Sequence, residues 1–117
     1  MTFLRAENEI ISKWNGNLFD PLVSICCTSY NHEAFIEDAV RGLLDQETDF
    51  SFEILIHDDA STDRTRQIIE RYAESYPNII KPMYQLENQF SKGLPPNLSY
   101  NIPRAKGKFI AFCEGDD

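Results

Sequence analysis

The chain has 117 residues, the length of a single modest domain. Eleven Lys and Arg stand against 19 Asp and Glu, and the resulting charge of −8 argues against nucleic acid or an anionic membrane as a charge-driven partner. With 42% hydrophobic and 26% charged residues the composition is globular rather than disordered. No run approaches the ~18 apolar residues of a membrane span.

Residues 1–20 read as a preamble. Met1 to Glu9 is too polar and acidic for a signal peptide, so the cytosol is the expected compartment. A mixed stretch around Ile10-Ile11-Ser12-Lys13-Trp14 ends in the turn formers Asn15-Gly16-Asn17. The main body opens at Pro21, and the β-branched apolar run Leu22 to Thr28 predicts a buried strand. A helix capped by Asn31 or His32 is expected next. Its stripe is Phe35/Ile36, Ala39/Val40 and Leu43/Leu44, with Glu33, Glu37, Asp38 and Arg41 around the other side. Phe52 to His57 predicts a second strand. Ser61-Thr62-Asp63 predicts the cap of a second helix, with Ile68/Ile69, Tyr72/Ala73 and Tyr76 on its inner face and Pro77-Asn78 at its end. Ile79 to Tyr84 predicts a third strand, irregular or at an edge because of Pro82. A polar loop from Glu87 to Asn97 leads to a short helix disturbed by Pro103. Lys108 to Cys113 predicts the last strand, which delivers Glu114-Gly115-Asp116-Asp117 at its carboxyl end.

This alternation is the order of an α/β fold, an open and mostly parallel sheet with helices on both faces. Such sheets bind ligands outside the carboxyl ends of their strands. Three of those ends carry polar clusters: Thr28-Ser29-Tyr30-Asn31, His57-Asp58-Asp59-Ala60-Ser61-Thr62-Asp63 and Glu114-Gly115-Asp116-Asp117. A parallel sheet converges them on one rim, where two acidic clusters repel unless a cation or donor offsets them. Hard Mg2+ or Mn2+ prefers carboxylate oxygens and keeps positions open for phosphate. Asp63 reads as turn and cap chemistry, His57 as a satisfied structural histidine and His32 as part of a helix start. For Tyr30, stacking on a base and packing are both open. Cys26 and Cys27 point to opposite faces of one strand and Cys113 lies in another. With no zinc-type spacing, the three thiols read as small buried residues kept reduced.

Val23-Ser24-Ile25 followed by Ser29-Tyr30-Asn31, then Glu53 to Asp63, then Ala105 to Asp117, resemble in order and spacing the amino-terminal half of a family 2 glycosyltransferase of the GT-A fold. The likeness covers about residues 21–117 and implies a Rossmann-like nucleotide-binding half. By position, Thr28, Ser29 and Tyr30 match the loop that cups the nucleoside of the sugar donor. Asp58 and Asp59 match an acidic pair, one member of which holds the base. Glu114-Gly115-Asp116 matches the Asp-x-Asp metal motif, in which Asp116 would coordinate Mn2+ or Mg2+ on the diphosphate and Glu114 would reach the ribose or the metal. Asp117 matches a common extra acidic position. Glu33 matches a frequent acidic or polar one, which a solvated helix residue explains equally well.

Three departures stand out: Glu114 in place of Asp, Ala60 in place of the commonest Gly, and Leu98-Ser99 where many relatives carry Arg-Asn. Arg104, Lys92 and Asn97 are candidates to compensate for the last. The resemblance implies inverting transfer of a sugar from a nucleoside-diphosphate donor, most commonly UDP-linked, to a hydroxyl of a glycan or lipid-linked acceptor. The expected setting is cell-surface polysaccharide synthesis at the cytosolic face of the membrane. The family's catalytic base lies in its second half, and no carboxylate here is a candidate for it. Residues 21–117 are therefore expected to be a partial domain, truncated after the metal-motif strand, that binds donor without turnover and exposes apolar surface able to self-associate. The alternatives are a non-catalytic nucleotide-binding or assembly domain and a receiver-type phospho-acceptor domain. The receiver needs an acidic pair after the first strand, where this chain has Thr28-Ser29.

Overall fold

The computed structural model describes residues 3–17 and 19–114, with the backbone alone at Glu114. Its elements in chain order are α1 (Glu7–Ile11), β1 (Val23–Ser29), α2 (Ile36–Leu44), β2 (Phe52–Asp58), α3 (Thr65–Ser75) and β3 (Ile80–Tyr84). A 3-10 turn (Phe90–Lys92), a π-helical turn (Asn97–Asn101), α4 (Ile102–Arg104) and β4 (Phe109–Glu114) follow. The strands form one sheet in the order β3-β2-β1-β4, and every pairing is parallel. The α/β expectation holds. Every residue of β2 is buried, as a central parallel strand covered on both faces requires. Pro82 sits on β3, which among the described residues pairs with β2 alone, so its missing N–H costs no ladder bond on the outer side.

Strand alternation sorts the side chains into two layers. Ile25 and Cys27 of β1 and Ile54 and Ile56 of β2 enter the main core with Ile36, Val40 and Leu44 of α2 and Ile69 and Tyr72 of α3. Burying each such aliphatic side chain contributes about 1.5–3 kcal/mol. The stripe expected on α2 is narrower than predicted: helix begins at Ile36, and Phe35 is 54% exposed. The preamble joins this same core. Ile10 and Trp14 are buried in it, and the Trp14 ring meets Phe52 at 5.2 Å. Two charges fasten the segment. The Arg5 guanidinium donates to the Gln46 carbonyl (2.7 Å), just past the end of α2, and the Glu7 carboxylate accepts the Asn78 and Ile79 backbone N–H groups (both 2.9 Å).

The opposite layer is polar and holds Ser24, Cys26, Glu53, Leu55 and His57. The π-helical turn and α4 cover it, with the Asn101 amide donating to the Cys27 carbonyl at 2.9 Å. Glu53 is the most demanding residue here, a carboxylate 2% exposed. Burial alone would raise its pKa. Hydrogen bonds from Lys81 Nζ (2.7 Å), Ser24 Oγ (2.6 Å) and the Lys106 N–H (2.8 Å) outweigh that and hold it below the usual carboxylate range. The residue after Lys106 is Gly107, whose N–H donates to Ser24 Oγ at 2.8 Å. A Cβ on Gly107 would lie 2.5 Å from the Ser24 nitrogen, so only glycine lets the chain pass this close to β1 before starting β4. Among the described residues no helix is long and apolar enough to cross a membrane.

Candidate functional site

Because all strands run the same way, the ends of β1, β2 and β4 open on one rim. Register places the strand ends side by side: Ser29 pairs with Asp58, and Thr28 pairs with Glu114. Thr28 is half-buried and Tyr30 is 46% exposed. Ser29 and Asp58 are buried and bonded to each other. Ser29 Oγ (3.1 Å) and Ser61 Oγ (2.5 Å) both donate to Asp58 Oδ1, and the Ser61 N–H donates to Asp58 Oδ2 (3.2 Å).

The loops after β1 and β2 are interlocked. Asn31 takes a left-handed conformation (φ 52°), which Asn tolerates better than most residues. Its side-chain carbonyl accepts the Thr62 N–H at 2.8 Å, while its own N–H donates to Ser61 Oγ at 3.0 Å. Asn31 therefore does not cap the helix that follows it; its partners lie on the other loop. Likewise the His32 N–H donates to Thr65 Oγ1 (2.9 Å). Asp63 closes a turn just before α3, accepting the Thr65 N–H at 2.9 Å, and also takes the Glu33 N–H at 3.2 Å; the N-cap position itself falls on Arg64, which makes no side-chain cap bond. Burial would raise the Asp63 carboxyl, but these bonds and the Thr65 hydroxyl hold it below its ordinary value. Ala60 stands at φ 63°, the conformation that glycine would adopt without strain.

Asp59, 3% exposed, organises the next segment. Its Oδ1 accepts the Gln89 N–H (2.7 Å) and its Oδ2 the Phe90 N–H (3.1 Å), while its carbonyl accepts Asn88 Nδ2 (3.1 Å). Each carboxylate oxygen keeps a second acceptor direction. His57 is fully buried, and neither ring nitrogen has a hydrogen-bond partner among the described residues, which differs from the satisfied histidine expected. Burial lowers its pKa, opposed by the charge of Asp59. Its ring stacks on Tyr100, with centroids 5.0 Å apart and planes 18° from parallel.

None of the three residues considered as substitutes for an Arg-Asn pair reaches the rim unengaged. Arg104 donates to Asn101 Oδ1 (2.9 Å) and the Ile56 carbonyl (3.4 Å), Lys92 pairs with Glu87, and Asn97 accepts the Asn101 amide (2.8 Å). Asn88, Gln89, Tyr100 and Asn101 escape sequence reasoning because their partners lie on distant loops and strands. Asp116, Asp117 and the Glu114 side chain fall outside the described residues. Within the described residues no group of three or more His, Cys, Asp or Glu could hold a metal ion. Protein donors reach both oxygens of Asp58 and both oxygens of Asp59.

The sequence profile of "Glycosyl transferase family 2" matches residues 24–117. The chain belongs to this family. The fold agrees: a crystal structure of Staphylococcus aureus TarS (residues 1–349) superimposes with a TM-score of 0.64 at 31% identity, covering 81% of this chain and 27% of that one. TarS is a poly(ribitol-phosphate) beta-N-acetylglucosaminyltransferase, and the same fragment has been crystallised with UDP and with UDP-GlcNAc. TuaG of Bacillus subtilis, provisionally named a teichuronic acid biosynthesis glycosyltransferase, is 39% identical over 97 residues, 83% of this chain and 36% of TuaG. The Pyrobaculum calidifontis mannosyltransferase PcManGT, solved with GDP-Man and Mn2+, shares the fold with a TM-score of 0.65 at 24% identity, over 82% of this chain and 28% of its own. The chain spans between 16% and 36% of the length of the curated relatives named here.

Proposed function

We propose that the rim binds the nucleotide end of a nucleoside-diphosphate sugar, UDP-linked, for a glycosyltransferase of cell-surface polysaccharide synthesis. The observation that carries this is the in-register placement of Glu114, the last described residue of β4, beside Thr28, with Ser29 in turn paired to Asp58. In this reading Tyr30 and Thr28 flank the nucleoside and Asp59 presents its remaining acceptor directions to the base. Asp116 would hold Mn2+ or Mg2+, and Glu114 would assist it or reach the ribose. The bound ion would supply positive charge to the departing diphosphate. The chain's own residues bind and orient the donor; the carboxylate that deprotonates the acceptor hydroxyl of a glycan or lipid-linked partner lies outside them. The reaction is inverting, and it takes place at the cytosolic face of the membrane.

Calorimetric titration of UDP into the chain and its Asp116→Ala variant tests the assignment. The native sequence should bind UDP more tightly with Mn2+ than without, and Asp116→Ala should bind it equally weakly in both. Equal Mn2+ dependence in the two would remove Asp116 from the metal role.

A further inference from the structure

We propose that Tyr100, stacked on His57, is a positioning residue for the base-binding end of this rim. The inference rests on the donor-binding reading above. It starts from a closed circuit of contacts. Asp59 accepts the Gln89 N–H at 2.7 Å, the Gln89 side-chain Oε1 accepts the Tyr100 hydroxyl at 2.7 Å, and the Tyr100 ring stacks on His57, two residues before Asp59 on the same segment. The circuit joins the end of β2 to residues 88–101, a stretch in which only Asn101 is buried among the described residues.

Each member is placed by a separate constraint. His57 is fixed by strand register between Thr28 and Met83 and is fully buried. The flat imidazole ring of His57 is what Tyr100 packs against. Tyr100 belongs to the π-helical turn, a geometry often found at functional sites, and its neighbour Asn101 is anchored to the Cys27 carbonyl. Gln89 is held at both ends of its amide, since its Nε2 also donates to the Glu87 carbonyl at 2.8 Å. The chain of contacts therefore sets where the Gln89 and Phe90 N–H groups point. Those two groups clamp the two oxygens of Asp59 and fix the plane of the carboxylate. A base recognised by Asp59 is read through the acceptor directions left over, so loosening Tyr100 blurs base recognition and leaves diphosphate binding alone.

Tyr100→Phe keeps the ring and its stack and removes only the hydroxyl. Titrations in Mn2+ with UDP and with inorganic pyrophosphate separate the two ends of the site. Tyr100→Phe should weaken UDP by about five- to tenfold, the worth of one hydrogen bond, and leave pyrophosphate within twofold. Its Gln89 and Phe90 amides should exchange with solvent faster. His57→Ala, which removes the ring that Tyr100 packs against, should resemble Tyr100→Phe. UDP binding unchanged in Tyr100→Phe, or an equal loss for UDP and pyrophosphate, would overturn the positioning role while leaving donor binding intact. A native chain that binds neither ligand would overturn the donor reading and this inference with it.

Discussion

Two glycines of this chain should respond to the same substitution with opposite signs. At Gly107 an added Cβ would stand 2.5 Å from the Ser24 nitrogen and 2.8 Å from the Val23 carbonyl carbon, both backbone atoms of β1. Ordinary contact begins at 3.4 Å, so residue 107 must withdraw by about 0.9 Å. That movement stretches the Gly107 N–H bond to Ser24 Oγ beyond hydrogen-bond range and strains the adjacent Phe109 N–H bond to the Leu22 carbonyl, now 3.0 Å. Overpacking against backbone costs about 1–3 kcal/mol and each lost bond about 1 kcal/mol, so Gly107→Ala should destabilise the fold by about 3 kcal/mol. At Gly42, inside α2, an added Cβ meets nothing within 4 Å, and Ala should stabilise by about 0.5–1 kcal/mol through helix propensity alone. Urea unfolding of both variants at equal m-value reads the contrast. If Gly107→Ala unfolds within 0.5 kcal/mol of the native chain, the close approach that seats β4 against β1 is wrong. The placement of Glu114 beside Thr28 would then be wrong too.

Ala60→Gly should stabilise by about 1 kcal/mol, because the left-handed φ of 63° strains alanine and not glycine; a loss of stability in thermal melts would contradict it. Asp63→Ala should cost about 1 kcal/mol through the lost Thr65 and Glu33 N–H bonds and leave UDP affinity within twofold, as calorimetry would show. Stability should also fall in acid in two stages. His57 has a depressed pKa when folded, so the unfolded chain takes up a proton first as pH drops below about 6.5; the stability from neutral His57 is complete above that pH and is lost as pH falls. Glu53 is likewise depressed, so its contribution holds above its ordinary 4.5 and is lost below it. Urea midpoints from pH 8 to 4 should show both stages in the native chain and the second alone in His57→Gln.

The strands were legible because each is a short apolar run that breaks into polar residues at its carboxyl end, and a parallel order made those ends converge. The caps were less so. Asn31 has the residue type of a helix cap, but its acceptor is taken by Thr62 on the other loop, a partner that local spacing does not reveal. Trp14 and Ile10 sat in a stretch too short and mixed to show a period, although both pack into the main core. Glu53 could have been noticed, since an acid near the start of a buried strand, followed by Ile54-Leu55-Ile56, needs donors. Its donors come from β1, β3 and the segment before β4, and tertiary structure alone brings them together. Asp58 and Asp59 were correctly placed on the rim, but their engagement by serine hydroxyls and by the Gln89 and Phe90 N–H groups depends on contacts 29 to 31 residues away for all but Ser61.

Donor binding at the rim is tested most directly by amide chemical-shift mapping of the 15N-labelled chain titrated with UDP and Mg2+. Shifts should concentrate at residues 28–31, 58–60, 88–90 and 114–117, and Asp116→Ala should reduce those at the last group. An absence of saturable shifts at millimolar UDP, or shifts confined to the charged groove of Glu33, Arg64 and Arg71 between α2 and α3, would contradict a nucleotide site at the strand ends.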